Sequence, residues 1–380
     1  MITYDFDTPI DRTHTLSEKW ERYAGRDIIP MWVADMDFAA APPILEAMNR
    51  ITAQQVLGYT RIPPELTEVA IERLRNRHQW EVPAEWIVWL PGLIPGISLT
   101  YMIASAQGDE VMTTVPVYGP FMKIPVATQR NLIKVPLTFT HNRWTLDFDA
   151  IEAAITPRTK LFILCNPYNP GGTVFTKAEL EKLGTICAAH NITICSDEIH
   201  CDLLLDPAVQ HTSIASISPE IAQQTITLLS PSKTFNIPGL GCSFAVIPNN
   251  DTRKKFTQLR DSLVPMISPY ASQGALAAYR DGGEWHAQLL QYLRRNHDYL
   301  LEAINTLPGF VMHPHAATYL AWIDVRQSGI PDIDKAFENA GVGISEGKMF
   351  FDGAGFIRLN FGTQFSLLQE AVTRIKTHFG

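Results

Sequence analysis

The residues best suited to chemistry sit in four short stretches: LPGLIPG (90–96), CNPYNPGG (165–172), SDEIHCD (196–202) and SPSK (230–233). In the last of these one lysine, Lys233, stands between small hydroxyl residues and a Pro-Gly turn. A solvated surface lysine needs no such frame. Its amine can neutralise a phosphate or form an imine with a carbonyl cofactor. Ser230 and Ser232 add hydroxyl donors, and the backbone N–H groups at Leu93 and Ile94 head a predicted helix whose positive dipole end favours an anion. A phosphate suits this set. The carboxylate of Asp197 can pair with a protonated ring nitrogen, Asn169 can donate to a phenolate oxygen, and the ring of Tyr118 can stack on a planar heterocycle. An imine, an electron-poor ring with an acidic partner and an anchored phosphate are what pyridoxal phosphate requires.

The predicted elements bring these stretches together. From roughly residue 87 to 247 short apolar runs alternate with helical patterns: IVWL before a helix near 92–107, EVMTTVP before a second helix near Tyr118, and KLFILCNP before a helix opening at Thr176. Glu179 lies three residues after Thr176, completing a capping box. TICSDE, TITLLSPS and GCSFAVI read as further strands. This alternation predicts an α/β fold with a mainly parallel, seven-stranded type of sheet between helices. Ligands of such sheets bind beyond the carboxyl ends of the strands, where each of the four stretches falls. After residue 284 the pattern changes to a long amphipathic helix (about 285–306), then YLAWIDV, a helix, FIRLNF and a closing helix. The expected division is a large domain over 45–284 and a smaller α/β domain built from 1–44 and 285–380.

Composition narrows the partners. With 31 Lys+Arg against 39 Asp+Glu the net charge is -8, and no dense basic cluster falls on a predicted helix, so nucleic acid and anionic membrane are poor partners. No apolar run approaches the roughly 18 residues of a membrane span, and the start MITYDFDTPIDRTH resembles no secretory leader. A cytoplasmic protein is expected. The five cysteines are odd in number and lack paired CxxC spacing, which favours reduced core thiols. Asp197, Glu198, His200 and Cys201 invite a metal reading, but side chains alternate along a strand end and no HExxH spacing occurs, so no metal is expected. Asp35 and Asp37 of MWVADMDF fit either the mouth of the cleft or an acidic turn.

NPYNPGG, SDEIH and SPSKTFNIPG resemble the asparagine, aspartate and lysine motifs of the fold type I pyridoxal-phosphate enzymes, the aspartate-aminotransferase superfamily. MWVADMDF, GYTR, LPGLIPGISL, PVYGPF, TYLAWIDV and FIRLNFG extend the resemblance, in order, to the MalY/PatB-type C–S lyases, also called cystathionine β-lyases. The resemblance implies that Lys233 is the cofactor-binding lysine and Asp197 the partner of the pyridine nitrogen. It puts Asn169 and His200 near the phenolic oxygen, and Tyr118 on the ring. Phosphate ligands would be Leu93, Ile94, Ser230 and Ser232, with Tyr59 of GYTR reaching in from a neighbouring subunit of a homodimer. Arg358 would hold the substrate carboxylate, where a guanidinium suits bidentate binding; its other reading is a structural ion pair.

One departure separates the reactions open to this fold. Many aminotransferases of the superfamily carry an arginine eight residues after the lysine; here, at 233 + 8, stands Gly241. The lysine block thus agrees better with the C–S lyase branch, and the expected reaction is β-elimination of L-cystathionine, L-cysteine or related S-conjugates. An aminotransferase is the alternative, and a cofactor-binding regulatory protein acting through a transcription regulator is a further one. NPGG in place of the commoner NPTG, and the segment SEGKMFFDGAG (345–355), are further departures near the substrate side.

Overall fold

The computed structural model describes residues 2–380. Seven strands form the main sheet: β1 (Ile87–Leu90), β2 (Glu110–Val115), β3 (Asn131–Pro136), β4 (Thr159–Cys165), β5 (Thr193–Asp197), β6 (Thr225–Leu229) and β7 (Ser243–Val246). Their order across the sheet is β1-β7-β6-β5-β4-β2-β3. Strands such as LFILC in β4 are apolar on both faces and buried along nearly their whole length, as strands covered by helices on two sides must be.

β7 is the exception to parallel pairing, running antiparallel to both β1 and β6. The strand patterns alone did not mark this reversal. No crossover helix separates β6 from β7, only the turn containing Pro238–Leu240, and a parallel return would require a long crossover. In consequence the first residues of β7 lie beside the carboxyl ends of β1 and β6. Five consecutive neighbours in the sheet (β1, β7, β6, β5, β4) therefore present LPG, GC, SPSK, SDEIH and CNPYN at one edge.

Helix α1 (Leu93–Ala104) leaves β1 through Gly92 and lies close on the sheet. A Cβ at Gly96 would come within 2.9 Å of Leu90 Cδ1 and 3.0 Å of Leu228 Cδ2, so any larger residue would force those two leucines to shift. No side chain caps the first turn of α1, which leaves its N–H groups free at the sheet edge. Helix α2 (Lys177–Ala189) starts in the expected capping box, with Thr176 and Glu179 each serving the other's backbone.

A second, four-stranded antiparallel sheet follows the long helix α3 (Gly283–Ile304). It comprises β8 (Val311–Met312), β9 (Leu320–Asp324), β10 (Ser345–Glu346) and β11 (Phe356–Asn360), in the order β8-β9-β11-β10. Its apolar core takes in Phe6, Ile29, Met31 and Phe38 from the start of the chain together with Leu293, Leu320, Leu359 and Leu368. The N-terminal segment is stitched to β11: Asn360 N–H donates to the Met31 carbonyl at 2.9 Å, and its Nδ2 donates to the carbonyls of Val33 (2.7 Å) and Asp35 (2.6 Å). Residues 31–36 thereby run past the open edge of the main sheet. Among the described residues no helix is long and apolar enough to cross a membrane.

Candidate active site

A cavity of about 370 Å³ lies at the sheet edge, lined by Leu93, Ile94, Tyr118, Asn169, Asp197, His200, Ser230, Ser232, Lys233 and Arg358, with Val33 and Ala34 from the N-terminal segment. All ten were expected, eight from their strand-end positions or helix start and His200 and Arg358 from the family resemblance; Arg358 arrives from the other sheet. Tyr59 does not line it. That side chain is 99% exposed.

At the floor, Asp197 ends β5, is buried, and accepts from the Ile199 N–H at 3.1 Å. Burial pushes its carboxyl up to about 7, against the opposing pull of that hydrogen bond and of Lys233. A buried carboxyl held this high is an acid-side partner awaiting a cation. His200, three residues on, is buried and driven by desolvation down to about 3, so its ring is neutral; among the described residues Nδ1 has no partner.

At one end Ser230 and Ser232 face the free N-terminus of α1. Ser230 Oγ donates to the Cys242 carbonyl at 2.7 Å, accepts from the Ser232 N–H at 3.0 Å, and lies 2.8 Å from Ser232 Oγ. Gly241 adjoins them with φ +69°, and a Cβ there would stand 2.8 Å from the Pro91 carbonyl oxygen. The backbone thus closes the position against any side chain, an arginine included.

Lys233 and Arg358 supply the positive charge. Lys233 is partly buried, its ammonium desolvated down to about 8 while Asp35 and Asp197 pull the other way, and Nζ donates to the Ala34 carbonyl at 2.5 Å. Arg358 sits at the centre of β11, opposite Trp322 of β9. Its Nη2 donates to the Trp32 carbonyl at 2.9 Å and its Nη1 to Asn169 Oδ1 at 3.2 Å. Its guanidinium lies 4.6 Å above the Phe350 ring. Among the described residues no carboxylate pairs with it, and burial lowers its pKa to about 10. A buried guanidinium with only carbonyl partners, and with Nε unpartnered, is ready for an anionic ligand.

Tyr118 is half-exposed at the mouth, its phenol raised by desolvation, with its ring edge-on to Phe121 at 6.1 Å. The segment 345–355 closes this side: the Phe350 carbonyl accepts from the Val117 N–H at 2.8 Å. Asp35 and Asp37 hold the N-terminal segment. Arg12 bridges both, at 2.8 and 2.9 Å, and buried Lys19 Nζ reaches Asp37 at 2.7 Å. Cys201 lies with His78 and Asp202, but the Asp202 carboxylate is met by Arg73 at 2.7 Å and Arg77 at 3.4 Å, the arrangement of a buried ion-pair network.

Sequence reasoning missed the carbonyls of Trp32 and Ala34, Tyr319 and Phe350. In MWVADMDF the aspartates are the residues that sequence marks as polar candidates, because a backbone carbonyl leaves no mark on residue type. Within TYLAWIDV and SEGKMFF nothing in residue type or spacing singles out Tyr319 or Phe350.

The residues present fit pyridoxal phosphate: an unpartnered neutral imidazole, a buried high-pKa carboxyl, a desolvated amine, and free helix N–H groups beside two serines. The comparisons agree. The family model for aminotransferase class I and II matches residues 26–375. The cystathionine beta-lyase PatB of Bacillus subtilis is 34% identical, over 98% of this chain and 99% of its own. Among solved structures, OvoB superposes with a TM-score of 0.96 at 42% identity, covering 99% of both chains. The pyridoxal-phosphate-bound C–S lyase of Staphylococcus hominis does so at 0.93 and 30% identity, covering 99% of this chain and 98% of that one. The chain belongs to the aminotransferase class I and II family, in its branch of pyridoxal-phosphate-dependent C–S lyases.

Proposed function

We propose that the protein cleaves the Cβ–S bond of L-cystathionine, L-cysteine or a related S-conjugate by α,β-elimination, releasing a thiol and, after addition of water, pyruvate and ammonia. The observation that carries this reading is the pairing of an unpaired buried guanidinium, Arg358, with a desolvated amine of lowered pKa, Lys233, in one cavity.

Asp197 would hold the pyridine nitrogen, Asn169 and His200 the phenolic oxygen, and Ser230, Ser232 and the Leu93 and Ile94 amides the phosphate. Tyr118 would lie on the ring, and Tyr59 of a second copy would complete the phosphate site of a homodimer. Its near-complete exposure here supports that role. Bound there, pyridoxal phosphate supplies a carbonyl carbon for an amine and an electron-poor ring that takes up the electron pair of the substrate's Cα–H bond. The remaining work falls to side chains. Arg358 grips the substrate carboxylate with two parallel N–H donors and fixes where Cα lies. Lys233, whose free amine is substantially neutral near pH 8, takes the Cα proton as general base. The same group, now an ammonium, is placed to give a proton to the departing sulfur. Pro91, Gly92 and Gly241 bring backbone, not charge, to the phosphate end, which favours elimination over amino-group transfer by the resemblance of the lysine block.

The chain is also proposed to divide into 45–284 and 1–44 with 285–380, supported by the core that joins Phe6 and Met31 to the second sheet. A panel of L-cystathionine, L-cysteine and S-alkyl cysteines, scored for thiol and pyruvate, tests the substrate class. Comparable inactivity across all sulfur substrates is the contrary result.

A further inference from the structure

We infer that Tyr319 is a positioning residue for the catalytic lysine: its hydroxyl holds the Ala34 carbonyl oxygen at the point against which the Lys233 amine rests. The inference rests on the proposed role of Lys233 and adds a group outside the cavity lining.

The Ala34 oxygen accepts two hydrogen bonds, from Lys233 Nζ at 2.5 Å and from Tyr319 Oη at 3.0 Å. Both lone pairs of the carbonyl are then in use. Among the described residues this carbonyl is the one hydrogen-bond acceptor of the lysine amine. Its position therefore decides where the amine lies whenever the amine is free.

Tyr319 is well placed to fix that carbonyl. The side chain is buried just ahead of β9, with its ring edge-on to His200 at 6.4 Å, and its backbone carbonyl accepts from the Phe361 N–H at 2.9 Å. Asn360, on the neighbouring strand, takes the carbonyls on either side, those of Val33 and Asp35. Three successive carbonyls of an otherwise irregular segment are thus held by two side chains of the second sheet. Only the middle one meets the lysine. Burial raises the phenol far above the ordinary tyrosine value, so it stays a donor at any working pH.

A general base must keep its geometry while its proton comes and goes. The charged groups around the amine, Asp35, Asp197 and Arg358, set its electrostatic environment, and neutral His200 stands beside them. The pinned carbonyl gives it direction, and favours the protonated form by accepting from it.

The test uses Tyr319→Phe, which keeps the ring and removes one O–H. In the cofactor-free protein, Lys233 is titrated by the pH dependence of its acetylation by trace acetic anhydride, read by mass spectrometry. The expected result is a fall of about half a pH unit or more in its apparent pKa. With cofactor restored, kcat should fall about tenfold while KM stays within about twofold. Replacement of Tyr319 by 4-aminophenylalanine restores an N–H donor at the same reach and should return both values; it also keeps the test open if the phenylalanine variant folds poorly. A Lys233 titration unchanged in Tyr319→Phe, or not returned by 4-aminophenylalanine, overturns the inference. Turnover and a cofactor absorbance band retained in Lys233→Ala would instead overturn the role of the lysine itself.

Discussion

Arg358 Nη1 donates to Asn169 Oδ1 at 3.2 Å, joining the middle of β11 to the loop after β4 across 189 residues of sequence. With Oδ1 turned to the arginine, the Asn169 amide N–H is left to face the cavity. One contact so orients the group proposed for the substrate carboxylate and one proposed for the cofactor.

Arg358→Lys should therefore fail as a conservative change. An ammonium cannot reproduce two parallel donors, nor span the Trp32 carbonyl and Asn169 while doing so. A loss of about 3 kcal/mol, or roughly a hundredfold in kcat/KM, is expected, with cofactor binding little changed. Steady-state kinetics alongside cofactor titration separate the two, and a KM close to that of the native protein would contradict the role.

Desolvation of the Lys233 amine leaves a stability signature in the cofactor-free protein. Its folded pKa, about 8, lies below the ordinary 10.5, so between those values the unfolded chain binds the proton more strongly. The lysine's contribution to stability accordingly rises with pH from about 8 to 10.5 and is lowest below 8. Lys233→Met should remove that rise, making the variant more stable than the native protein below pH 8 by up to about 3 kcal/mol before packing differences. Urea unfolding at pH 7 and pH 10 measures it; a difference independent of pH would count against a desolvated amine.

Restoring the arginine of many aminotransferases should not help the phosphate site. Gly241 has φ +69° and the Pro91 carbonyl 2.8 Å from where a Cβ would stand. Gly241→Arg is expected to weaken cofactor affinity by about tenfold or more, the cost of a left-handed backbone plus displacement of Pro91. Fluorescence titration of the cofactor-free variant reads this. Tighter binding would show that charge outweighs strain here.

NPGG has a packing cause. A Cβ at Gly171 would run into the Trp144 indole and the Tyr168 ring. Gly171→Thr should cost about 1–3 kcal/mol by overpacking, and less in a Trp144→Ala background. Thermal unfolding of the four proteins in the cycle gives the coupling, and simple additivity would remove Trp144 as the cause.

What the sequence made legible were polar groups forced to strand ends. Lys233, Asp197, Asn169 and the serines carry their chemistry in the side chain, at positions set by strand and helix periods. Tertiary geometry hid the rest. Ala34 and Trp32 contribute carbonyls, which any residue has, and Tyr319 and Phe350 act through neighbours that only the folded chain brings near. The reversal of β7 escaped for a related reason: strand patterns look the same in either direction, and only the missing crossover distinguishes them. Asp35 and Asp37, conspicuous in the sequence, hold Arg12 and Lys19.

Subunit hybrids test Tyr59. If it serves its partner's cavity, Tyr59→Ala and Lys233→Ala subunits, each inactive alone, should regain activity when unfolded together and reassembled. A hybrid then holds one cavity carrying both defects and one intact. Failure to regain activity in hybrids shown to form would place Tyr59 outside the neighbouring site.

The most direct measurement is pyruvate release from L-cystathionine by the cofactor-loaded protein with no keto acid added, followed by reduction of the pyruvate with lactate dehydrogenase. Elimination centred on Lys233 and Arg358 predicts continuous release over many turnovers, unaffected by added keto acid and abolished in Lys233→Ala. Turnover that requires a keto acid and yields no pyruvate would contradict it.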